Sequence, residues 1–288
     1  MLSYVVNIKF TADRIIDLPQ KELDELGIST MSVFVNIGGR SYEDMIDITL
    51  DEVYAKMKET GELAKTAAKS PEAYYDFFKP FAKPGTAIIH FAAASGTSAI
   101  CANAIEASKR LENVYVFDTR TLSCGIAAIA KYAVDLARNG ETDPKKILEK
   151  CEAKRQKLQF SFVIDSLECL HKGGRCSALK YGIAKLLRLK PAVTVSAKTA
   201  NMEVREKFRG NLKKSLSDYI RTTFKKFANP DLKDLYVMYT SKNDEALNHV
   251  VDTVKTYHKF EKVHLNAAGC NAGIHSGPNT FGLCYFVK

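Results

Sequence analysis

Short apolar runs alternate with amphipathic segments along most of this 288-residue chain. The runs 4–9, 31–37, 86–93 and 114–118 have the length and composition of β-strands, and amphipathic segments separate most of them. In the first half this alternation predicts a parallel sheet whose crossover connections are right-handed. It therefore places the first half of the chain in the α/β class, whatever its function.

Capping signals position the helices between these strands. Thr49 and Glu52 have the spacing of a capping box, and Ser70 followed by Pro71 is typical of a helix start. A further helix is predicted from residue 97 to residue 110, directly after a buried strand. These signals complete the β-α-β-α order of the first half.

The pattern changes near residue 160. The runs 191–195 and 202–208 are predicted to pair as antiparallel strands, and the amphipathic segment 211–227 is predicted to form a long helix. The second half is therefore expected to be a mixed α/β unit. We predict two α/β domains, residues 1–159 and residues 160–288.

The formal net charge of +9 is compatible with nucleic acid, an acidic partner or anionic lipid. The basic residues are scattered, and the densest group, 207–226, falls mostly on a predicted amphipathic helix, where charges usually face solvent. No helix-turn-helix or aromatic stacking motif is present, so no nucleic-acid partner is expected. Transient contact with a membrane surface stays open.

The spacing of the cysteines and the lengths of the apolar runs indicate the cellular compartment of the protein. The seven cysteines include no C-x-x-C pair, which is typical of buried thiols in a reducing cytoplasm, and no metal site is expected. No run of about 18 apolar residues is present, so no membrane-spanning helix is predicted. The first ten residues are too short and polar for a secretory signal. A cytoplasmic location is therefore expected.

Ser95-Gly96-Thr97 is the most informative local segment. It lies between a predicted buried strand and a predicted helix, where free backbone N–H groups and the helix dipole favour an anion. Glycine permits close approach of a ligand to the backbone, and the two hydroxyls add donors. The alternative is an ordinary helix cap with a tight turn.

Three further sets of side chains are candidates for a site. His275, before Gly277-Pro278, either donates to an anion or lies in an ordinary surface turn. Lys172 and Arg175 flank a predicted helix end; they either grip an acidic group or offset the helix C-terminus. The third set consists of aspartates near strand ends, which serve as acid–base groups or stabilise turns, namely Asp13, Asp17, Asp44 and Asp47.

The common signatures of α/β enzymes are missing. The sequence has no G-x-G-x-x-G after a strand, no G-x-x-x-x-G-K-[ST] and no G-x-S-x-G. Their absence favours binding over catalysis. A stand-alone phospho- or acyl transferase that uses His275 and an aspartate, acting on another amphiphilic or anionic small molecule, stays as the alternative.

Seven segments, in order along the chain, make the sequence resemble the DegV family, whose members include fatty-acid-binding proteins that serve fatty acid kinases. The seven family patterns correspond here to residues 13–19 (D-S-T-x-D-L-P), 42–49 (Y-x-D-x-x-D-I-T), 66–71 (T-S-x-P-S-P), 95–97 (S-G-T), 114–119 (V-x-V-x-D-[ST]), 172–175 (K-G-G-R) and 275–283 (H-x-G-P-x-x-x-G-L). No single segment is decisive, but the order of all seven is specific.

The resemblance implies an N-terminal parallel Rossmann-like sheet with helices, a smaller C-terminal mixed α/β domain, and a ligand tunnel between them. It implies a long-chain fatty acid whose acyl chain is buried and whose carboxylate is held by Thr66, Ser95 and His275, with Gly96 and Thr97 beside them. An ATP-dependent kinase partner would phosphorylate that carboxylate to an acyl phosphate, which feeds phospholipid synthesis. Lys172, Arg175 and Arg209 would belong to the docking surface. No cofactor is implied, and a monomer is the default expectation.

Three positions depart from the family pattern. Arg14 and Ile15 stand where the family has serine and threonine, and Ala67 stands where it has serine. Hydroxyls near the expected head group are therefore replaced, and a cation is added. Arg14 either pairs with the ligand carboxylate or pairs with Asp13 or Asp17, so Asp13 and Arg14 are included among the candidate head-group residues.

Overall fold

The computed structural model describes residues 7–174 and 189–288. The strands are β1 Asn7–Asp13, β2 Ile28–Met31, β3 Phe34–Ile37, β4 Arg40–Glu43, β5 Lys65–Ala67, β6 Thr86–Ala92, β7 Val114–Asp118, β8 Leu158–Val163, β9 Leu189–Val195, β10 Met202–Arg209, β11 Asp234–Tyr239, β12 Lys262–Ala267 and β13 Phe281–Phe286. The helices of the described residues are α1 Gln20–Leu26, α2 Leu50–Thr60, α3 Pro71–Phe78, α4 Ile100–Ser108, α5 Cys124–Arg138, α6 Pro144–Arg155, α7 Glu168–Lys172, α8 Leu212–Lys226, α9 Asp244–Tyr257 and α10 Cys270–Ser276, with a 3₁₀ helix at Arg14–Ile16.

A four-stranded parallel sheet in the order β2-β1-β6-β7 forms the N-terminal part of the fold. Six of the seven residues of β6 are buried, as expected for a strand covered on both faces. The predicted cap at Ser70 is confirmed, since its hydroxyl accepts a hydrogen bond from the amide of Ala73. The helix predicted from residue 97 begins instead at Ile100, after a turn.

A small antiparallel sheet, β4-β3-β5, follows the first two strands. The predicted strand 31–37 is in fact two strands, β2 and β3. Gly38 and Gly39, a pair typical of a tight turn, both have positive φ and join β3 to β4. β5, which carries Thr66, pairs with the other side of β3. The capping box of Thr49 and Glu52 is also confirmed, at the start of α2.

The second half is built on a six-stranded mixed sheet in the order β10-β9-β8-β13-β11-β12. Alternation along β8 gives the sheet two different faces. Ser161 faces α8, where its hydroxyl lies 2.9 Å from the Tyr219 hydroxyl. Phe160 and Phe162 point the other way and pack with α5, which connects the two sheets. The inner face of the mixed sheet therefore looks toward the N-terminal half.

These sheets confirm the α/β class, with a parallel N-terminal sheet and a mixed C-terminal sheet. The division between residues 159 and 160 stays a prediction, and the first strand of the mixed sheet spans Leu158–Val163. The sequence also predicts a helix after Gly174, and that segment lies outside the described residues. In the part of the chain that is described, no helix is long and apolar enough to cross a membrane.

Candidate ligand site between the two halves

An apolar cavity lies between the inner face of the mixed sheet and the N-terminal half. It is partly open to solvent. Its apolar wall combines side chains from both halves, namely Ile15, Leu122, Phe160, Phe162, Leu170, Met202, Met238 and Ala272. Polar side chains gather on the remaining wall, namely Thr97, Ser98, Ser123, Asn271, His275 and Ser276. A cavity with a large apolar wall and a few polar groups suits an amphiphile.

His275 lies in the last turn of α10 and is buried, so the alternative of an ordinary surface turn is wrong. The sequence C-N-A-G-I-H-S hides this helix because glycine and asparagine are poor helix formers. Its first turn is held by distant carboxylates. Asp44 accepts hydrogen bonds of 2.9 Å from the amides of Cys270 and Asn271, and Asp17 accepts one of 2.9 Å from Gly269. These bonds satisfy amides that a helix start leaves unpaired.

The carboxylates beneath α10 are buried, and burial changes their ionisation. Removal from water raises the pKa of Asp17 to about 7 and also raises the pKa of Asp44. The charge of Arg14 opposes both shifts, and its guanidinium donates to the carbonyl of Leu18 at 2.8 Å. Arg14 is 8% exposed and is not among the residues that line the cavity. Its charge therefore acts on the carboxylates that position α10.

Thr66 and His275 are brought together from opposite ends of the chain. Thr66 Oγ1 lies 2.8 Å from His275 Nε2 and shares a hydrogen bond with it. The pair also borders a second hollow, whose other walls include Lys65, Cys169 and Lys172. His275 thus lines both the apolar cavity and this more polar hollow, so the imidazole stands where the two meet.

Gly173, the first glycine of the segment 172–175, packs closely against the imidazole of His275. A Cβ atom at Gly173 would lie 2.6 Å from His275 Nδ1 and 3.0 Å from the carbonyl oxygen of Cys169. Only glycine leaves room for the ring in this place. The second glycine, Gly174, has φ +73°, as expected after a helix end.

The Ser95-Gly96-Thr97 segment is arranged differently from the prediction. It forms a turn before α4, in which the Thr97 amide donates to the carbonyl of Ala94 at 3.0 Å. Ser95 donates to Asp118 from its hydroxyl at 2.6 Å and from its amide at 3.2 Å. The expectation of free amides at a helix start is therefore wrong for Ser95 and Thr97. Thr97 and the unpredicted Ser98 line the cavity, whereas Ser95 and Gly96 do not.

Asp13 is fully buried in a hydrogen-bond network away from the cavity wall. Its carboxylate accepts from the Tyr74 hydroxyl, from His90 Nε2 at 3.2 Å and from the amide of Ala93 at 2.8 Å. With these donors it joins β1 to β6 and α3. Asp13 therefore connects these elements and does not line the cavity, and its expected place at the ligand head group stays a prediction.

The predicted docking residues have different surroundings. Lys172 ends α7, pairs with Glu168 at 2.6 Å and borders the polar hollow. Arg209 ends β10 and is exposed, opposite Leu189 of β9. Arg175 lies outside the described residues. Among the residues that are described, no His, Cys, Asp and Glu side chains are grouped to hold a metal ion.

Sequence reasoning missed most of the cavity wall. The alternation Phe160-Ser161-Phe162 in β8 was the available signal, since two aromatic residues on one face indicate a packed or ligand-facing surface. Met202 and Met238 gave no comparable signal, because they approach the cavity only through the pairing of strands far apart in the sequence.

Comparisons with known proteins agree with this architecture. The profile of a family described as "Uncharacterised protein, DegV family" matches residues 7–288. A DegV domain-containing protein of Caldanaerobacter subterraneus is 28% identical over 288 residues, which cover 98% of this chain and 99% of that relative. A DegV family protein from Thermus thermophilus, described with fatty acid binding, has a TM-score of 0.90 at 24% identity, covering 98% of this chain and 100% of its own. A stearic acid-binding protein from Eubacterium ventriosum has a TM-score of 0.85 at 24% identity, with 98% of each chain covered.

Proposed function

Because the chain belongs to the DegV family, we propose that it binds a long-chain fatty acid between its two halves. The acyl chain would occupy the apolar cavity, and the carboxylate would lie beside Thr66 and His275. The observation that carries the proposal is the position of His275, which borders both the cavity and the polar hollow. Structural neighbours described as binding fatty acids, from Thermus thermophilus and Eubacterium ventriosum, support the ligand class.

The chemistry of the two walls matches the two ends of such a ligand. Burial of an acyl chain contributes about 0.8 kcal/mol per CH₂, so the affinity comes chiefly from the apolar wall. The carboxylate needs only a few donors, and a hydroxyl with an imidazole supplies them. Neutral or singly charged donors of this kind hold the head group and leave its oxygens accessible to a phosphoryl donor.

The turn before α4 would supply further hydroxyl groups to the ligand. Thr97 borders the cavity together with Ser98, and we propose that these side chains approach the ligand. Ser95 and Gly96 belong to the same turn, and a direct role of the Ser95 hydroxyl requires it to leave Asp118, to which it donates at 2.6 Å.

We further propose that the bound acid is presented to a partner kinase, which phosphorylates the carboxylate with ATP to give an acyl phosphate for phospholipid synthesis. The sequence resemblance supports this step, and the lack of a phosphate-loop motif assigns ATP to the partner. Lys172 borders the polar hollow and, with Arg175 and Arg209, would contribute positive charge to docking. The protein itself would act as a monomeric carrier in the cytoplasm, without a cofactor.

Native mass spectrometry of the purified protein tests the ligand class directly. A bound mass that solvent extraction identifies as a fatty acid would support the proposal and give the chain length. A protein that is empty and also fails to take up added palmitate or oleate would contradict it.

Two substitutions test the head-group position. Thr66→Val and His275→Ala each remove a donor to the carboxylate, and a charge-assisted hydrogen bond is worth about 1.5–3 kcal/mol, so each should weaken binding by about ten-fold or more. His249→Ala is the matched control, because His249 Nε2 also lies 2.8 Å from a hydroxyl, that of Ser217, on the outer helices. Equal affinity in all three variants would refute the placement of the carboxylate.

A further inference from the structure

A second polar hollow lies on the far side of Phe160, which lines both it and the apolar cavity. It is partly open to solvent. Three arginines from three different elements converge on it: Arg120 after β7, Arg155 at the end of α6 and Arg205 in β10. Such a gathering of guanidinium groups around a concave surface is unusual without an anion, because like charges repel.

Arg155 forms the inner wall and has an unused donor. Its side chain is 4% exposed, and it pairs with Glu152 through Nε at 3.1 Å and through Nη2. The remaining nitrogen, Nη1, is buried and has no hydrogen-bond partner among the described residues. A buried guanidinium N–H is rarely left in this state. An acceptor within the hollow would complete its hydrogen bonding.

Arg120 and Arg205 stand at the outer walls. Arg120 Nε lies 3.8 Å from Asp118 Oδ2, and Nη1 donates to the carbonyl of Ala197 at 2.9 Å. Arg205 is exposed, lies over the ring of Phe227 at 5.3 Å and takes part in no ion pair within the described residues. Among the described residues, the carboxylates that form ion pairs with the three arginines are Asp118, with Arg120, and Glu152, with Arg155. Arg205 therefore keeps a charge that no ion pair of these residues neutralises.

We propose that this arginine hollow, defined by Arg120, Arg155 and Arg205, binds a phosphoryl oxyanion. Guanidinium groups present planar, paired donors that fit phosphate oxygens, and three of them from separate directions suit a tetrahedral group better than a planar carboxylate. Arg155 Nη1 supplies the inner donor, and Arg205 supplies the charge that no described carboxylate neutralises. The phosphoryl group comes either from inorganic phosphate or from a small organic phosphate. The site is separate from the proposed fatty-acid site and does not depend on it.

Isothermal titration tests the proposal with two probes, inorganic phosphate and glycerol phosphate, at constant ionic strength set with chloride. We expect saturable binding of at least one probe. Arg155→Met and Arg205→Ala should each weaken it by about ten-fold or more, since each removes a charge-assisted contact. Arg221→Ala is the control, because Arg221 is an exposed arginine on α8 that pairs with Asp218 at 2.7 Å, outside the hollow.

Each outcome of the titrations either supports or overturns the proposed phosphoryl site. Binding of either probe with this dependence on Arg155 and Arg205 supports the site, and a preference for glycerol phosphate identifies an organic source of the phosphoryl group. Failure of both probes to saturate, or equal weakening by Arg221→Ala, overturns the proposal. Should Arg155→Met not fold, Arg205→Ala decides alone, because its side chain lies on the exposed face of β10.

Discussion

Replacement of Asp17 by asparagine should remove a large part of the pH dependence of folding. Asp17 is 7% exposed and accepts a hydrogen bond from the amide of Gly269, the residue that precedes the helix carrying His275. Burial raises its pKa from 3.8 to about 7, with a smaller contribution from the neighbouring charge of Asp44. Asparagine keeps the carbonyl acceptor for Gly269 but has no proton to lose.

The sign and size of this pH dependence of stability follow from the linkage of proton binding to folding. The folded pKa is higher than the unfolded pKa, so the folded protein holds an extra proton between pH 3.8 and about 7. The stabilisation is complete below pH 3.8, is lost as the pH rises through the folded pKa and is absent above it. Three pKa units at 1.36 kcal/mol each give about 4 kcal/mol as the upper size of this loss.

Urea denaturation of both proteins at half-unit steps from pH 4 to pH 8 measures the effect. The free energy of unfolding of the wild type minus that of Asp17→Asn should fall by up to about 4 kcal/mol across this range. Asp76→Asn is the control, because Asp76 is exposed on α3 and should show no such trend. A constant difference, or a wild type that gains relative stability as the pH rises, would refute the reasoning and mean that Arg14 keeps Asp17 ionised.

Two further substitutions probe the packing of the site and of the parallel sheet. Gly173→Ala should weaken fatty-acid binding by about ten-fold, measured by fluorescence competition, because its Cβ would lie 2.6 Å from His275 Nδ1 and displace the ring; unchanged affinity would contradict this packing. Tyr74→Phe should lower the free energy of unfolding by about 1–3 kcal/mol in urea, since it removes a donor to the fully buried Asp13. The exposed Tyr257→Phe should leave stability unchanged, and an equal loss in both tyrosine variants would refute the role of Asp13.

Regular elements with strong local signals could be predicted closely from the sequence. β7 has the predicted bounds, Val114–Asp118, because an uninterrupted apolar run is a local property. Bounds were less accurate where a short polar turn separates two elements. The helix predicted from residue 97 begins only at Ile100, because the turn before it is held by Asp118, which is 23 residues from Ser95 in the chain.

The candidate site was predictable only in part. Thr66 and His275 are 209 residues apart, and no periodicity relates them. The family resemblance places both residues at one ligand carboxylate, and the structure brings their side chains to 2.8 Å from each other. Their role in binding that carboxylate stays a prediction. The roles of Ser95 and Gly96 at the ligand stay predictions, and the apolar wall could not be read from the sequence because it depends on how two sheets face each other.

The helix that carries His275 links the buried aspartates to the proposed ligand site. Seven residues that include Asn271 and Gly273 have little tendency to form a helix alone. Asp44 binds the first amides of this helix, and Asp17 binds the amide before it, so the N-terminal half fixes the orientation of a C-terminal segment. The small sheet β4-β3-β5 then packs its apolar residues against Cys270 and Ile274 and brings Thr66 to the imidazole. Residues in the first 70 positions therefore determine where His275 stands, although none of them adjoins it in the chain.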